Sequence, residues 1–97
     1  MDGPNQNAIK IVKHYIDTVM PGYLLHCDTD EQFTSYYSFG AYEALSALEA
    51  NPSIPPLETL ETLSVIIQSY ACRNDKTSYL FWCAGRAIGD ILKLFGQ

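Results

Sequence analysis

Three residue types that bind metal ions stand side by side at His26, Cys27 and Asp28. A zinc site uses four protein ligands, or three and a water, and the ligands usually come in spaced pairs such as C-x-x-C. Adjacent residues rarely reach one ion together, so further ligands would have to come from distant parts of the chain. The sequence therefore predicts no metal and no cofactor, and we interpret this cluster as a polar turn that leads into a helix.

The three cysteines, Cys27, Cys72 and Cys83, are odd in number and widely spaced. Small disulfide-stabilised domains usually carry more cysteines, in even numbers, so we expect reduced thiols and a cytoplasmic location. A cysteine nucleophile needs a histidine beside it and a third group that orients this base. No spacing in the chain indicates such an arrangement, and the sequence predicts no catalytic residue. Helical periodicity places Cys83 at the edge of the core and Cys72 outward.

Acidic residues dominate the charge of the chain. Eleven Asp and Glu oppose six Lys and Arg, which gives a net charge of −5. This balance argues against nucleic acid and against an anionic membrane surface as partners. Glu58 and Glu61 have the spacing of a pair of catalytic acids, but they fall at the start of a predicted helix. Carboxylates are favoured there by the positive end of the helix dipole, so we interpret both as helix-end residues.

The residues that best fit a binding role lie on one side of the last predicted helix. Trp82 projects away from the apolar stripe of that helix, among Tyr79 and Arg86. Trp, Tyr and Arg are enriched in protein interfaces, and the nearby Gly89 has no side chain to hinder another helix. Two alternatives stay open: Trp82 is exposed, or it is covered by the connector at 21–27 or by the first helix. The predicted interaction site consists of Tyr79, Trp82, Arg86 and Gly89.

Proline and glycine residues divide the chain into four predicted helices, in which apolar residues recur at steps of three and four. These helices span about residues 5–19, 30–50, 56–72 and 75–95. Pro21 and Gly22 are expected to end the first helix, because a proline disfavours helical geometry in the residue before it. Residues 21–27 then form a connector over the core.

Local signals add detail to these elements. Asp28 with Glu31, or Thr29 with Gln32, can form a capping box before the second helix, the expected central helix. Gly40 predicts either a kink or a close helix crossing. Asn74 and Asp75 are expected to cap the third helix and open the fourth. The predicted inner face of the third helix is Leu60, Leu63, Ile66, Ile67, Tyr70 and Ala71. That of the fourth is Leu80, Phe81, Ala84, Ala87, Ile88, Ile91 and Phe95. Core packing is expected for all tyrosines except Tyr42 and Tyr79.

The length of 97 residues and a hydrophobic fraction of 47% fit a single globular domain at 1–97. Residues 1–7 have neither the basic nor the apolar segment of a signal peptide. The most apolar stretch, at 79–95, is interrupted by charged residues, so no membrane span is expected. The fold class predicted is all-α, a single compact bundle of about four helices.

The expected function is that of a small non-enzymatic helical module that binds another protein or a second copy of itself. An alternative is an acidic inhibitor or immunity-type protein that occupies a basic site on a nucleic-acid enzyme. The acidic groups at 28–31 and 58–61 favour this alternative. A third hypothesis is an enzyme or metal-dependent sensor that uses His26, Cys27 and Cys72. The salt dependence of partner binding separates the first two hypotheses, and metal analysis decides the third.

Overall fold

Helices occupy most of the chain in the computed structural model, which describes residues 5–26, 30–73 and 75–96. The first helix is continuous and has three segments: α1 (Gln6–His14), a π-helical segment (Tyr15–Val19) and α2 (Met20–His26). The other helices are α3 (Glu31–Ala50), α4 (Pro56–Ala71) and α5 (Ser78–Lys93). No strand occurs in the described ranges, and the predicted all-α bundle of about four helices is confirmed. None of these helices is both long and apolar enough to cross a membrane.

The prediction that Pro21 and Gly22 end the first helix is wrong. Both residues lie inside α2, and the backbone of Met20 before the proline is helical, with φ −58° and ψ −44°. The π-helical segment provides the reason, because the Met20 N–H bonds to the carbonyl of Tyr15, five residues back. This wider turn shifts the hydrogen-bond register just before the proline, whose ring and missing N–H would break a regular α-helix.

The central helix is α3, as predicted, since it contacts the first continuous helix as well as α4 and α5. It begins after Asp30, whose carboxylate accepts a hydrogen bond of 2.8 Å from the backbone N–H of Phe33. Asp30 is therefore the N-cap, in place of the predicted Asp28 or Thr29, which lie outside the described residues. A carboxylate at this position also interacts favourably with the helix dipole.

Gly40 lies at the crossing of α3 and α5, one of the two alternatives that its position predicted. A Cβ atom at Gly40 would lie 2.6 Å from the Cα of Ala84, closer than two carbon atoms can pack. Glycine therefore permits an approach of the two backbones that no other residue allows. The contact between α3 and α5 is the most extensive in the described bundle, so α3 fixes the orientation of α5 and of the side chains on its outer surface.

The buried face of α4 differs in part from the predicted stripe. Leu60 and Ile67 are buried as predicted, but Ile66 and Tyr70 are 48% and 40% exposed. Ser64 is buried in their place. The reason is that α4 packs mainly against α5. A single neighbouring helix covers only a narrow face, so apolar residues at the edges of the stripe stay in contact with solvent.

The last helix begins at Ser78, later than predicted, because Asp75 forms a turn of its own. Its carboxylate accepts hydrogen bonds from the backbone N–H and the hydroxyl of Thr77, at 3.0 and 2.8 Å. The predicted cap Asn74 lies outside the described residues. The buried face of α5 consists of Cys83, Ala84, Ala87, Ile88 and Ile91. Leu80, Phe81 and Phe95, which were predicted on the same face, are only partly buried.

Candidate interaction surface on the last helix

Trp82 is 53% exposed. Of the two alternatives left open by the sequence, the exposed ring is therefore correct, and the ring covered by residues 21–27 or by the first helix is not. Tyr79 is 41% exposed and stacks on Trp82, with ring centroids 6.4 Å apart and ring planes inclined by 11°. The ring of Tyr36, on α3, meets the Tyr79 ring edge-on at 5.9 Å. The two outer rings therefore form a flat aromatic surface that is supported from α3. Such a preformed surface loses little conformational entropy when a partner binds.

The two glycines of α5 have different surroundings. A Cβ atom at Gly89 would meet no heavy atom within 4 Å, so the space above Gly89 is open. A Cβ atom at Gly85 would contact Cγ2 of Ile67 at 3.4 Å, which shows that Gly85 faces α4. The open position on α5 is thus Gly89, one of the four residues predicted from the sequence.

Two cationic side chains follow the aromatic pair along α5. Arg86 is exposed one turn after Trp82, and no acidic side chain of the described residues lies within 4.0 Å of it. Lys93 is exposed at the end of the helix, with its Nζ 3.8 Å from Oδ1 of Asp90. An exposed ion pair of this kind contributes little to stability, so Lys93 can exchange its partner at small cost.

An acidic residue, Asp75, precedes the N-terminal end of α5. Asp75 is exposed, and its Oδ2 lies 3.8 Å from Nε of Arg73. Hydrogen bonds from the hydroxyl and the backbone N–H of Thr77 hold the pKa of the Asp75 carboxyl below its usual range. The carboxylate is therefore ionised at neutral pH, and the surface runs from an acidic start to a basic end.

The exposed residues of α5, together with the partly exposed Gly89, are regularly spaced. Their separations alternate between three and four residues, a period of 3.5 that keeps one helix face against a second helix. We call these residues the α5 face: Tyr79, Trp82, Arg86, Gly89 and Lys93. Asp75 stands four residues before Tyr79 in the chain, in the turn that precedes the helix. Four of the five were predicted as a site, and the alternating spacing is the signal that could also have identified Lys93.

The two described cysteines differ as their helical positions predicted: Cys72 is exposed and Cys83 is buried. The Tyr79 hydroxyl is hydrogen-bonded to the Cys83 thiol, and this bond raises the pKa of Tyr79. Burial raises the pKa of the Cys83 thiol. A raised pKa is the opposite of what an activated cysteine nucleophile requires, so Cys83 packs as a small apolar residue behind the α5 face.

Two linked hydrogen bonds that the sequence did not indicate, one buried and one partly buried, connect three helical elements. The Tyr15 and Tyr37 hydroxyls are hydrogen-bonded to each other, and the Tyr37 hydroxyl donates to Oδ2 of Asp90 at 2.7 Å. Burial first, and then these two hydrogen bonds, raise the pKa of Tyr37. Asp90 lies at the boundary between α5 and α3, where its side chain is 25% exposed. The network ties the π-helical segment and α5 to α3.

The residue types considered for metal binding or catalysis do not converge in the part of the chain that is described. Within that part, no three side chains of His, Cys, Asp or Glu come together as a metal site would require. His26 is exposed at the end of α2, while Cys27 and Asp28 lie outside the described residues. Glu58 is exposed in the first turn of α4, where a helix-end role was expected.

Two shallow apolar clefts occur elsewhere on the molecule. One lies beside the π-helical segment and includes Ile11, Val19 and Leu94. The other lies between α3 and α4 and includes Ile54 and Ile66. Neither combines an exposed aromatic ring with an arginine among its described lining residues, and that combination is typical of the residues that dominate interface energetics. The α5 face is therefore the best candidate for a functional surface.

A scan against protein-family models, a search of curated proteins and a search of solved structures find no significant match to this chain. The functional conclusion therefore depends on the geometry of the α5 face.

Proposed function

We propose that this protein is a small, non-enzymatic helical module that binds a helix of a partner protein through the α5 face. The observation that carries the proposal is the exposed, stacked pair of Tyr79 and Trp82, with the open position at Gly89 about two turns farther along α5. Covering the exposed half of an indole ring contributes about 1–2 kcal/mol, which a partner can recover. A helix can approach closely at Gly89, since no side chain hinders it there.

Two properties of the thiols support a binding module over a cysteine enzyme. Burial raises the pKa of the Cys83 thiol, and its hydrogen-bond partner is Tyr79 rather than a basic side chain. The exposed Cys72 stands at the C-terminal end of α4, where the helix dipole does not favour a thiolate. An exposed thiol is stable in a reducing compartment, so the proposed location is the cytoplasm.

The alternative of an acidic inhibitor has less support. It depends on the net charge and on the acidic groups at 28–31 and 58–61. Within these groups, Asp30 caps α3 and Glu58 lies in the first turn of α4, so each has a structural role. The proposed surface itself carries the cations Arg86 and Lys93, which do not imitate the phosphates of a nucleic acid.

Affinity purification from the native host tests the proposal with three versions of the tagged chain: the wild type, Trp82→Ala and Tyr42→Ala. Tyr42 is a matched control, because it is an aromatic residue with the same 53% exposure on α3. Quantitative mass spectrometry should show proteins that co-purify with the wild type and with Tyr42→Ala but are lost with Trp82→Ala. A differently tagged copy of the same chain counts among these proteins. The proposal is contradicted if all three versions retain the same proteins.

A further inference from the structure

We infer that the helix bound by the α5 face is α5 of a second copy of this chain, packed antiparallel about a two-fold axis. This inference rests on the proposed function and names the partner. A two-fold contact uses the same surface on both copies, so the surface must be complementary to itself. The spacing, shape and charges of the α5 face meet this requirement in one register.

The register follows from the spacing of the residues along α5. If Trp82 of one copy lies opposite Arg86 of the second copy, an antiparallel arrangement also places Tyr79 opposite Gly89 of the second copy. At each end of the contact, Asp75 in the turn before α5 lies near Lys93 of the second copy. Each pairing occurs twice because of the two-fold axis. Residues spaced by three and four thus meet in successive layers, as they do in pairs of helices that cross at a shallow angle.

Shape complementarity is greatest at the layer formed by Tyr79 and Gly89. The open space above Gly89 has no heavy atom within 4 Å of a Cβ position, so it can receive a ring from the second copy. Tyr79 is 41% exposed, and its ring is stacked on that of Trp82. A bulky side chain meets a missing one in this layer, which is how large and small residues interdigitate between helices.

Electrostatics selects the antiparallel arrangement over the parallel one. Arg86 has no acidic partner among the described residues, and a guanidinium packs well over the face of an indole. Asp75 and Lys93 are both exposed and of opposite charge, and the ion pair that each makes within its own chain is long, at 3.8 Å. A parallel pair would place Arg86 against Arg86 and Lys93 against Lys93, which repel each other. The charge pattern therefore specifies a second copy in reversed direction.

Disulfide trapping in mixtures of two variants, each with one introduced cysteine, tests the register. Both chains carry Cys27→Ser and Cys72→Ser, and the buried Cys83 is retained. One chain then carries Tyr79→Cys and the other Gly89→Cys, with Tyr42→Cys as the control for a thiol on α3. Under mild oxidation, the mixture of the first two should give covalent dimers about tenfold more efficiently than either variant alone, since a disulfide requires Cβ atoms about 4 Å apart. The control mixed with Gly89→Cys should give none above background.

Each result has a defined meaning. Cross-linking of Tyr79→Cys or Gly89→Cys with itself, as efficient as in the mixture, overturns the antiparallel register. No cross-linking in any mixture, together with loss of other host proteins on Trp82→Ala, overturns the second copy as partner while the proposed function stands. If no mixture cross-links and Trp82→Ala retains the same proteins as the wild type, both the second copy as partner and the proposed function are contradicted.

Discussion

At the scale of single residues, the effect of replacing a glycine by alanine depends on what surrounds that glycine. Gly40 is in contact with the backbone of Ala84, whereas Gly22 and Gly89 have open space where a Cβ would lie. All three are helical, so each would gain helix propensity from a substitution by alanine. Only the surroundings decide whether the added methyl group stabilises the fold, unfolds it or blocks a partner.

Gly40→Ala should lower the free energy of unfolding by about 3 kcal/mol or more, because the methyl group forces α3 and α5 apart. Gly22→Ala should instead raise it by up to about 1 kcal/mol. Urea denaturation followed by circular dichroism measures both. Equal stabilities of the two variants would show that the close crossing of α3 and α5 does not exist in solution.

Gly89→Ala should leave the fold as stable as the wild type or more stable by up to about 1 kcal/mol, because the position is open. The same substitution should weaken self-association about tenfold, since the methyl group occupies the space that receives Tyr79 of the second copy. Sedimentation equilibrium gives the dissociation constant, and Gly22→Ala is the matched control. An unchanged dissociation constant for Gly89→Ala would place the contact elsewhere.

At the scale of helices, the orientation of α4 about its own axis decides which of its apolar residues are buried. Leu60→Ala should cost about 2–5 kcal/mol of unfolding free energy, because Leu60 is fully buried. Ile66→Ala should cost under about 1 kcal/mol, because Ile66 is 48% exposed. Chemical denaturation of both variants distinguishes the observed orientation from the one predicted by the sequence, in which Ile66 is buried. Comparable losses would favour the predicted orientation.

The hydrogen bonds of Tyr37 make a prediction about pH. The pKa of Tyr37 is raised in the folded state above its ordinary value of 10.0, so above pH 10 the unfolded chain loses this proton more readily than the folded chain. The contribution of Tyr37 to stability is therefore complete below pH 10 and declines as the pH rises above it. Between about pH 9 and pH 11, the unfolding free energy of the wild type should fall more than that of Tyr37→Phe. Parallel losses in both proteins would contradict the buried network.

Tyr37→Phe also tests the network at neutral pH. The substitution should lower the free energy of unfolding by about 1–3 kcal/mol, because Asp90 and Tyr15 each lose a buried hydrogen-bond partner. Tyr42→Phe, on the exposed side of α3, is the control and should cost under about 0.5 kcal/mol.

The sequence predicts the elements of this fold better than their continuity and contacts. Spacing of apolar residues and the positions of proline and glycine identified α3, α4 and α5, and they placed Trp82 away from the core. The passage of α2 through Pro21 was not predictable from local rules, because it depends on a π-helical turn that those rules do not anticipate. The hydrogen bond between Tyr37 and Asp90 joins residues far apart in the chain, and no local pattern encodes such a pairing.

At the scale of the whole molecule, the structure separates a buried scaffold from an outer surface. The Gly40 crossing and the network of Tyr37 fix α5 against α3. This fixed helix then presents aromatic, cationic and open positions in one stripe along its outer side. The whole chain has a net charge of −5, which makes two copies repel each other, so attraction between them depends on the local pattern of the α5 face rather than on overall charge.

The most direct test of the α5 face is the mass of the purified protein in solution, measured by light scattering over a wide range of concentrations. The wild type and Tyr42→Ala should approach twice the chain mass of 10.9 kDa as the concentration rises. Trp82→Ala should remain at the mass of one chain at concentrations about tenfold higher, because it lacks the central ring of the contact. A wild type that stays at 10.9 kDa at the highest concentration, with Trp82 fully accessible to a fluorescence quencher, would contradict self-association through this face.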